Sequence, residues 1–154
     1  MSDSGAAKLT SLVPTVSTWS PPSAREAALR QREQIRQIGV ALRQAGFVAL
    51  DDQARALGLS RSTTWKVLQA DHKASGLHAG LICHMLAHSD LPPAVRTVLR
   101  QYVIEKARGY YGHGLLRRRR FAAHFWNVPD LAGELLKKEA QSSPLAAPRF
   151  TSAD

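Results

Sequence analysis

Residues 50 to 69 carry the local pattern that most restricts how this chain can fold, LDDQARALGLSRSTTWKVLQ. Two short amphipathic segments flank Gly58, and glycine adopts the positive φ that ends a helix at little steric cost. Ser60 is a preferred capping residue for the next helix, and Ala54 is small enough to let that helix cross closely. The apolar residues available to both segments are Leu57, Leu59 and Val67. The pattern therefore predicts a helix, a glycine turn and a second helix.

This pattern resembles the helix-turn-helix of bacterial repressors, most closely the lac repressor type and also the lambda repressor type, over residues 50 to 69 of a chain of 154. The positions that follow the family's order of small residue, glycine, aliphatic, capping residue and Thr-Val stretch are Ala54, Gly58, Leu59, Ser60, Thr63 and Val67. Gln53 and Thr64 depart from it, because the family usually has aliphatic side chains there. A buried Thr64 hydroxyl would need a backbone carbonyl. The resemblance implies DNA binding, and an ordinary helical hairpin in an α-bundle is the alternative.

The resemblance places the second helix, which starts at Arg61, in the major groove of double-stranded DNA, while the first helix presents its N-terminus to a phosphate. The residues that match positions facing base edges are Arg61, Ser62 and Lys66, with Arg61 reading guanine. The residues placed to contact the DNA backbone are Ser60, Thr63, Gln69 and Lys73. For Gln69 and Lys73, a solvated loop is the alternative. Trp65 falls at an outward position, and we expect it to pack against the helix near Leu77 rather than to contact a thymine methyl.

The distribution of charge agrees with a nucleic-acid partner. Residues 53 to 126 hold twelve Lys and Arg residues against three acidic ones, whereas the rest of the chain has nine of each. The basic residues are Arg55, Arg61, Lys66, Lys73, Arg96, Arg100, Lys106, Arg108 and Arg117 to Arg120. A surface that neutralises phosphates collects cations in one region in this way. A solvated basic face without a partner is the alternative.

The densest positive run is formed by Arg117, Arg118, Arg119 and Arg120. Four consecutive residues cover one turn of a helix, so they cannot all face one groove. We expect these arginines to contact the DNA backbone, with docking of an acidic partner or a solvated face as alternatives. Tyr110 and Tyr111 are aromatic residues that could stack on unpaired bases of RNA, although aromatic residues at a helix boundary are more often part of a core.

A long amphipathic helix is predicted from Ser23 to Ala45, before Gly46. Its apolar stripe consists of Ile35, Ile38, Leu42 and Ala45. The outer half, from Arg25 to Arg36, is too polar for a core, so we expect it to project from the domain or to pair with a second copy. A homodimer through residues 23 to 45 is therefore one expected partner arrangement.

The remainder of the chain predicts further helices and no strand alternation. Leu77, Leu81, Met85 and Leu86 mark one helix, a second runs from Pro92 to Gly109, and a third runs from Leu115 to Trp126 with Leu116, Phe121 and Phe125 buried. The predicted fold class is all-α, a small helical bundle around the helix-turn-helix. Residues 23 to 140 form the helical domain, residues 1 to 22, with Trp19, form a disordered N-terminal arm, and residues 141 to 154 form a disordered C-terminal tail.

No pattern for catalysis or cofactor binding is present. His84 and His88 lie four residues apart, but no glutamate follows His84 as a zinc hydrolase would require, so we expect neither a metal site nor an enzyme. Cys83 lies in an apolar run and is expected to fill the core. No segment is apolar for the roughly 20 residues needed to cross a bilayer, and the first residues lack the order of a secretory signal. We therefore expect a cytoplasmic protein with no membrane partner.

These observations together predict a DNA-binding transcriptional regulator. Two alternatives stay open, namely a protein-binding α-bundle whose basic surface meets an acidic partner, and an RNA-binding accessory protein. Competition between duplex DNA, RNA and an acidic polymer separates the three, because salt dependence is common to all electrostatic partners.

Overall fold

The computed structural model describes residue 20, residues 22–70, residue 72 and residues 75–142. Within this part of the chain there are seven helices and no strand, which confirms the all-α fold class. The helices are α1 (Ala24–Gln44), α2 (Leu50–Leu57), α3 (Arg61–Leu68), α4 (Ala79–Ala87), α5 (Pro93–Arg108), α6 (Leu115–Ala123) and α7 (Pro129–Ser142). Trp19, Lys73 and almost all of the predicted N-terminal arm and C-terminal tail lie outside the described residues. None of the helices in the described part is long and apolar enough to cross a membrane.

Helices α1 and α5 form the centre of the bundle, and α3, α6 and α7 pack around them. Ser23 starts α1 with a capping box, in which its hydroxyl accepts from Glu26 N at 3.2 Å and its backbone N donates to the Glu26 carboxylate at 3.0 Å. The main core cluster takes Ile35, Ile38 and Leu42 from α1. From α5 it takes Leu99, Tyr102 and Val103. The predicted stripe on α1 is therefore present except at Ala45, which is exposed.

The expectation that the outer half of α1 projects from the domain is wrong. Ala27 and Gln31 are buried, and Arg30 donates from Nε and Nη2 to the two carboxylate oxygens of Glu105 on α5, both at 3.2 Å. Burial raises the pKa of Glu105, but hydrogen bonds from Arg30, Gln101 and Tyr111 outweigh burial and lower it overall. This half of α1 is packed despite its polar sequence, because its polar side chains have partners on α5.

A buried polar cluster fastens the connection between α3 and α4 to the centre of the bundle. The Tyr102 hydroxyl accepts from Leu77 N at 2.9 Å and donates to Gln31 Oε1 at 3.1 Å. Lys106 Nζ donates to the carbonyl oxygens of Ser75 and Leu77, the latter at 2.8 Å. Burial lowers the pKa of Lys106 to about 8. Lys106, which the sequence places among the basic surface residues, is therefore part of the interior.

The C-terminal third differs from the prediction in two ways. Helix α6 ends at Ala123 instead of Trp126, and Leu116, expected in the core, is 70% exposed. Phe121 and Phe125 are buried as predicted, and their ring centroids lie 5.1 Å apart. The pattern after Trp126 gave no individual prediction of α7, whose first residue is Pro129 and whose last two residues fall in the segment assigned to the tail.

Candidate nucleic-acid interface

Helices α2 and α3 are joined by a turn with the geometry that the sequence predicts. Gly58 has a φ of 68°, and Leu59 N donates to the carbonyl of Ala54 at 3.0 Å, which closes the end of α2. The Ser60 hydroxyl accepts from Thr63 N at 3.2 Å and donates to the Thr63 hydroxyl at 2.8 Å, which caps α3. Both short helices therefore have defined ends, and α3 has a fixed starting point.

The two positions that depart from the repressor pattern are both accommodated in the interior. Thr64 is fully buried, and its hydroxyl donates to the Ser60 carbonyl at 2.9 Å, which is the partner that burial requires. Gln53 is also buried, beyond the edge position that its polarity suggests, and Nε2 donates to the carbonyl of Phe47 at 2.9 Å. Thr64 and the buried Val67 fix the inner face of α3, whereas the Gln53 contact ties α2 to the residues before it.

Two histidines, His84 in α4 and His88 directly after it, hold the turn in place, a contact that the sequence did not reveal. Nε2 of His84 lies 2.8 Å from the Gly58 carbonyl oxygen, and Nε2 of His88 lies 2.9 Å from that of Arg55. Since carbonyls only accept, each imidazole donates from that nitrogen. A Cβ at Gly58 would lie 2.8 Å from His88 Cγ, so a residue with a side chain does not fit at this position. Within the described residues, no group of three or more His, Cys, Asp or Glu residues is arranged to hold a metal ion.

The outer face of α3 brings together most of the residues assigned to DNA. The exposed side chains on this face are Arg61, Ser62, Trp65, Lys66 and Gln69, with Ser60 exposed at the cap and Thr63 half-buried. They recur at intervals of one, three and four residues, so they line one side of a helix whose other side is buried. We call Arg61, Ser62, Trp65, Lys66 and Gln69 the α3 face. Trp65 is 54% exposed on this face, and its packing against the helix near Leu77 stays a prediction.

The start of α2 does not favour a phosphate. Asp51 and Asp52 occupy its first turn and are exposed, and its cap residue, Ala49, makes no side-chain hydrogen bond. Two carboxylates there repel an anion. Asp51 also lies 3.5 Å from Nη1 of Arg61, with both side chains largely in solvent. The arrangement thus supports contact by the α3 face itself and gives no support to the phosphate contact expected at the α2 N-terminus.

The arginine run lies on a separate surface. Arg117, Arg119 and Arg120 are exposed on α6, whereas Arg118 is half-buried and donates from Nη1 to the Arg108 carbonyl at 2.9 Å. Arg117 lies in the first turn of this helix, which has neither an acidic residue nor a capping side chain there, so its charge adds to the positive end of the helix dipole, whereas Arg120 lies in the last turn.

Helix α1 separates the two surfaces. Leu68, at the end of α3, packs beside Gly39, while the turn before α6 packs beside Ala27 through Gly112. Twelve residues of helix between Ala27 and Gly39 correspond to about 18 Å along the axis. The structure therefore collects the predicted α3 residues on one face but does not bring Arg117 to Arg120 to that face.

The two tyrosines considered for base stacking are in contact with other side chains of the bundle. Tyr111 is buried and donates to Glu105 Oε2 at 2.9 Å. The guanidinium of Arg30 lies 4.6 Å from the centre of the Tyr110 ring and covers one face of it. Neither tyrosine therefore offers a free platform for an unpaired base.

Cys83 is half-buried against the core, and burial raises the pKa of its thiol.

No protein-family model, curated protein or solved structure matches this chain.

Proposed function

We propose that this protein is a non-enzymatic transcriptional regulator that binds double-stranded DNA by inserting the α3 face into the major groove. The observation that carries the proposal is the composition of that face. Two cations, two further hydrogen-bonding side chains and one indole project from one side of a short helix. The opposite side of the helix is fixed by Thr64 and Val67.

The dimensions of α3 suit this role. The major groove of B-DNA is about 12 Å wide and admits one α-helix with its side chains. Residues 61 to 68 form two turns, which is enough to place three or four side chains against base edges. Because the polar cluster under residues 75 to 77 and the two histidines His84 and His88 hold the helix pair, the backbone of α3 needs no rearrangement before binding.

Individual roles follow from position on the helix. Arg61 and Lys66 are the candidates for direct base contact, with a bidentate contact from Arg61 to guanine as the strongest discriminating element. Ser62 lies between them along the helix and is the third base-contact candidate. Ser60, Thr63 and Gln69 lie at the two ends of α3 and are assigned to phosphate oxygens. Arg61 must leave Asp51 to reach a base, and an exposed pair of this kind costs only about 0.2–1 kcal/mol to separate.

The proposal extends to two features of the whole protein. A homodimer through residues 23–45 would use the outer side of α1, which exposes Leu29 and Arg32, because the inner side is packed on α5. A cytoplasmic location goes with DNA binding and with the single cysteine, Cys83, which has no disulfide partner in this chain.

Competition binding tests the proposal. A labelled duplex of random sequence is bound to the protein at physiological salt and challenged with unlabelled duplex DNA, hairpin RNA or polyglutamate. We expect duplex DNA to displace the label at the lowest concentration. Displacement at lower concentration by RNA or by polyglutamate would contradict the proposal and favour an RNA-binding or a protein-binding α-bundle.

A matched pair of variants assigns the binding to α3. Arg61→Ala with Lys66→Ala should weaken duplex binding by at least about tenfold. Arg120→Ala with Lys137→Ala removes the same charge from exposed positions on α6 and α7 and should change affinity by less than about threefold. Equal losses in the two variants would show that the α3 face has no special part in binding.

A further inference from the structure

The start of α6 borders a groove that the proposed DNA contact does not use. The groove lies between the first turns of α1 and α6, has a volume of about 520 Å³, and opens to solvent. Its apolar lining is formed by Ala24, Ala28, Tyr111, Leu115 and Leu116, with Arg117 at one side. We call it the α1–α6 groove.

Exposed leucines distinguish this groove from a surface that only attracts phosphates. Leu115 is 52% exposed and Leu116 is 70% exposed. A sugar-phosphate backbone offers little to such side chains, since its contacts are hydrogen bonds and ion pairs. A protein interface, by contrast, combines an apolar centre with a charged or polar rim. The composition of the groove therefore favours a polypeptide.

The positive charge beside the groove indicates that the bound polypeptide is negatively charged. Arg117 lines it, and Arg120, three residues further along α6 and therefore on the same side of the helix, is exposed. No acidic residue is among the described residues that line it. An occupant with carboxylates beside its apolar anchors would satisfy both features, in the manner of an amphipathic segment laid into a groove.

We propose that the α1–α6 groove binds an acidic segment of a partner protein that carries two or more large apolar side chains. Leu115 and Leu116 contact the apolar side chains, and Arg117 pairs with a carboxylate. Because the groove lies near the opposite end of α1 from the α3 face, the partner and DNA bind at the same time. The protein then acts as an adaptor that brings an acidic partner to a DNA site.

The chain's own N-terminal residues are a poorer match. Residues 9–19, with the sequence LTSLVPTVSTW, contain apolar side chains but no charged residue. They would fill the apolar part of the groove without neutralising the arginines. Charge complementarity therefore favours a separate, acidic segment.

Selection from a displayed library of random dodecapeptides on the full-length protein tests this inference. We expect enriched peptides to combine two or more Asp or Glu residues with two or more Leu, Ile, Phe or Trp residues. Leu116→Ser with Arg117→Ala should bind those peptides about tenfold more weakly. The matched control is Leu136→Ser with Lys137→Ala, which alters an adjacent exposed leucine and lysine on α7 and should bind as the unaltered protein does.

Four results of the peptide selection and binding measurements would overturn the inference. These are the absence of enrichment, enrichment of acidic peptides without apolar residues, enrichment of uncharged peptides similar to residues 9–19, and equal binding by the Leu116→Ser, Arg117→Ala variant. Displacement of bound peptide by saturating duplex DNA would also overturn it, because the groove would then be part of the DNA site. A protein that binds peptides as expected but fails to bind duplex DNA would contradict only the DNA proposal.

Discussion

The α3 face and the exposed surface of α6 both carry positive charge, but the groups around that charge differ. The α3 face lines a short helix whose opposite side is buried and whose cap, turn and neighbouring histidines are all hydrogen-bonded. The α6 surface combines arginines in a single turn with two exposed leucines beside a groove. Net charge attracts an anionic partner to both. We propose that the groups accompanying the charge decide whether the partner is a set of base edges or an acidic polypeptide.

The largest expected difference between the two surfaces is in DNA affinity. Arg61→Ala with Lys66→Ala should weaken binding to a preferred duplex by about tenfold to a hundredfold and relax sequence preference, because a bidentate base contact discriminates by about 1–3 kcal/mol. Arg119→Ala with Arg120→Ala should weaken binding to all duplexes equally, by about threefold. Fluorescence anisotropy with preferred and scrambled duplexes measures both. Loss of preference in the α6 variant alone would reverse the assignment.

Gly58→Ala should destabilise the turn that joins α2 and α3. Its positive φ and the 2.8 Å approach to His88 together should lower the free energy of unfolding by about 2 kcal/mol. Gly133 is the matched control, because it lies in α7 with open space around it, and Gly133→Ala should raise stability by about 0.5–1 kcal/mol. Urea denaturation followed by circular dichroism gives both values. A neutral Gly58→Ala would show that the turn relaxes freely.

Asp51→Asn should strengthen DNA binding by about twofold to fivefold. The change removes a negative charge beside the α3 face and frees Arg61 from an exposed ion pair, which is worth about 0.2–1 kcal/mol. The gain should disappear in an Arg61→Ala background if the ion pair is its main cause. An unchanged or weaker affinity for Asp51→Asn would mean that Arg61 does not need to leave Asp51 when DNA binds. The same substitution should leave peptide binding in the α1–α6 groove unchanged.

A smaller effect is expected when pH is changed, because the free energy of unfolding depends on the protonation of Lys106, which is buried beneath α6. Lys106 Nζ lies 4.6 Å from the Phe121 ring of α6, and burial lowers its pKa to about 8, below the value of about 10.4 for a free lysine. Between these two values the unfolded chain binds more protons than the folded one, so the free energy of unfolding should rise as pH increases from 8 to 10. Lys106→Met should remove the rise, whereas Lys66→Met, at an exposed position, should retain it. Urea midpoints measured at each pH test this.

The parts of the fold that follow from short-range signals could be predicted from the sequence. Gly58, Ser60 and Gly109 each act on their own neighbours, so the ends of α2, α3 and α5 followed from residue type alone. The outward position of Arg61 and Lys66 was implied by the resemblance to the repressor helix-turn-helix, and both side chains are exposed.

The contacts that could not be predicted join residues far apart in sequence. Arg30 pairs with Glu105 across 75 positions, and Lys106 binds carbonyls about 30 residues earlier, so polar residues that look solvated are internal. The exposure of Leu116 could not be predicted for a related reason. Whether a large apolar side chain is covered depends on which helix lies beside it, and no local pattern records that.

Selection of bound sequences from a random duplex pool at physiological salt tests the central comparison most directly. The selection is run with the unaltered protein, with Arg61→Ala, Lys66→Ala and with Arg119→Ala, Arg120→Ala. We expect an enriched motif that the α3 variant loses and the α6 variant keeps. Absence of enrichment by the unaltered protein, or a motif retained by the α3 variant and lost by the α6 variant, would contradict it.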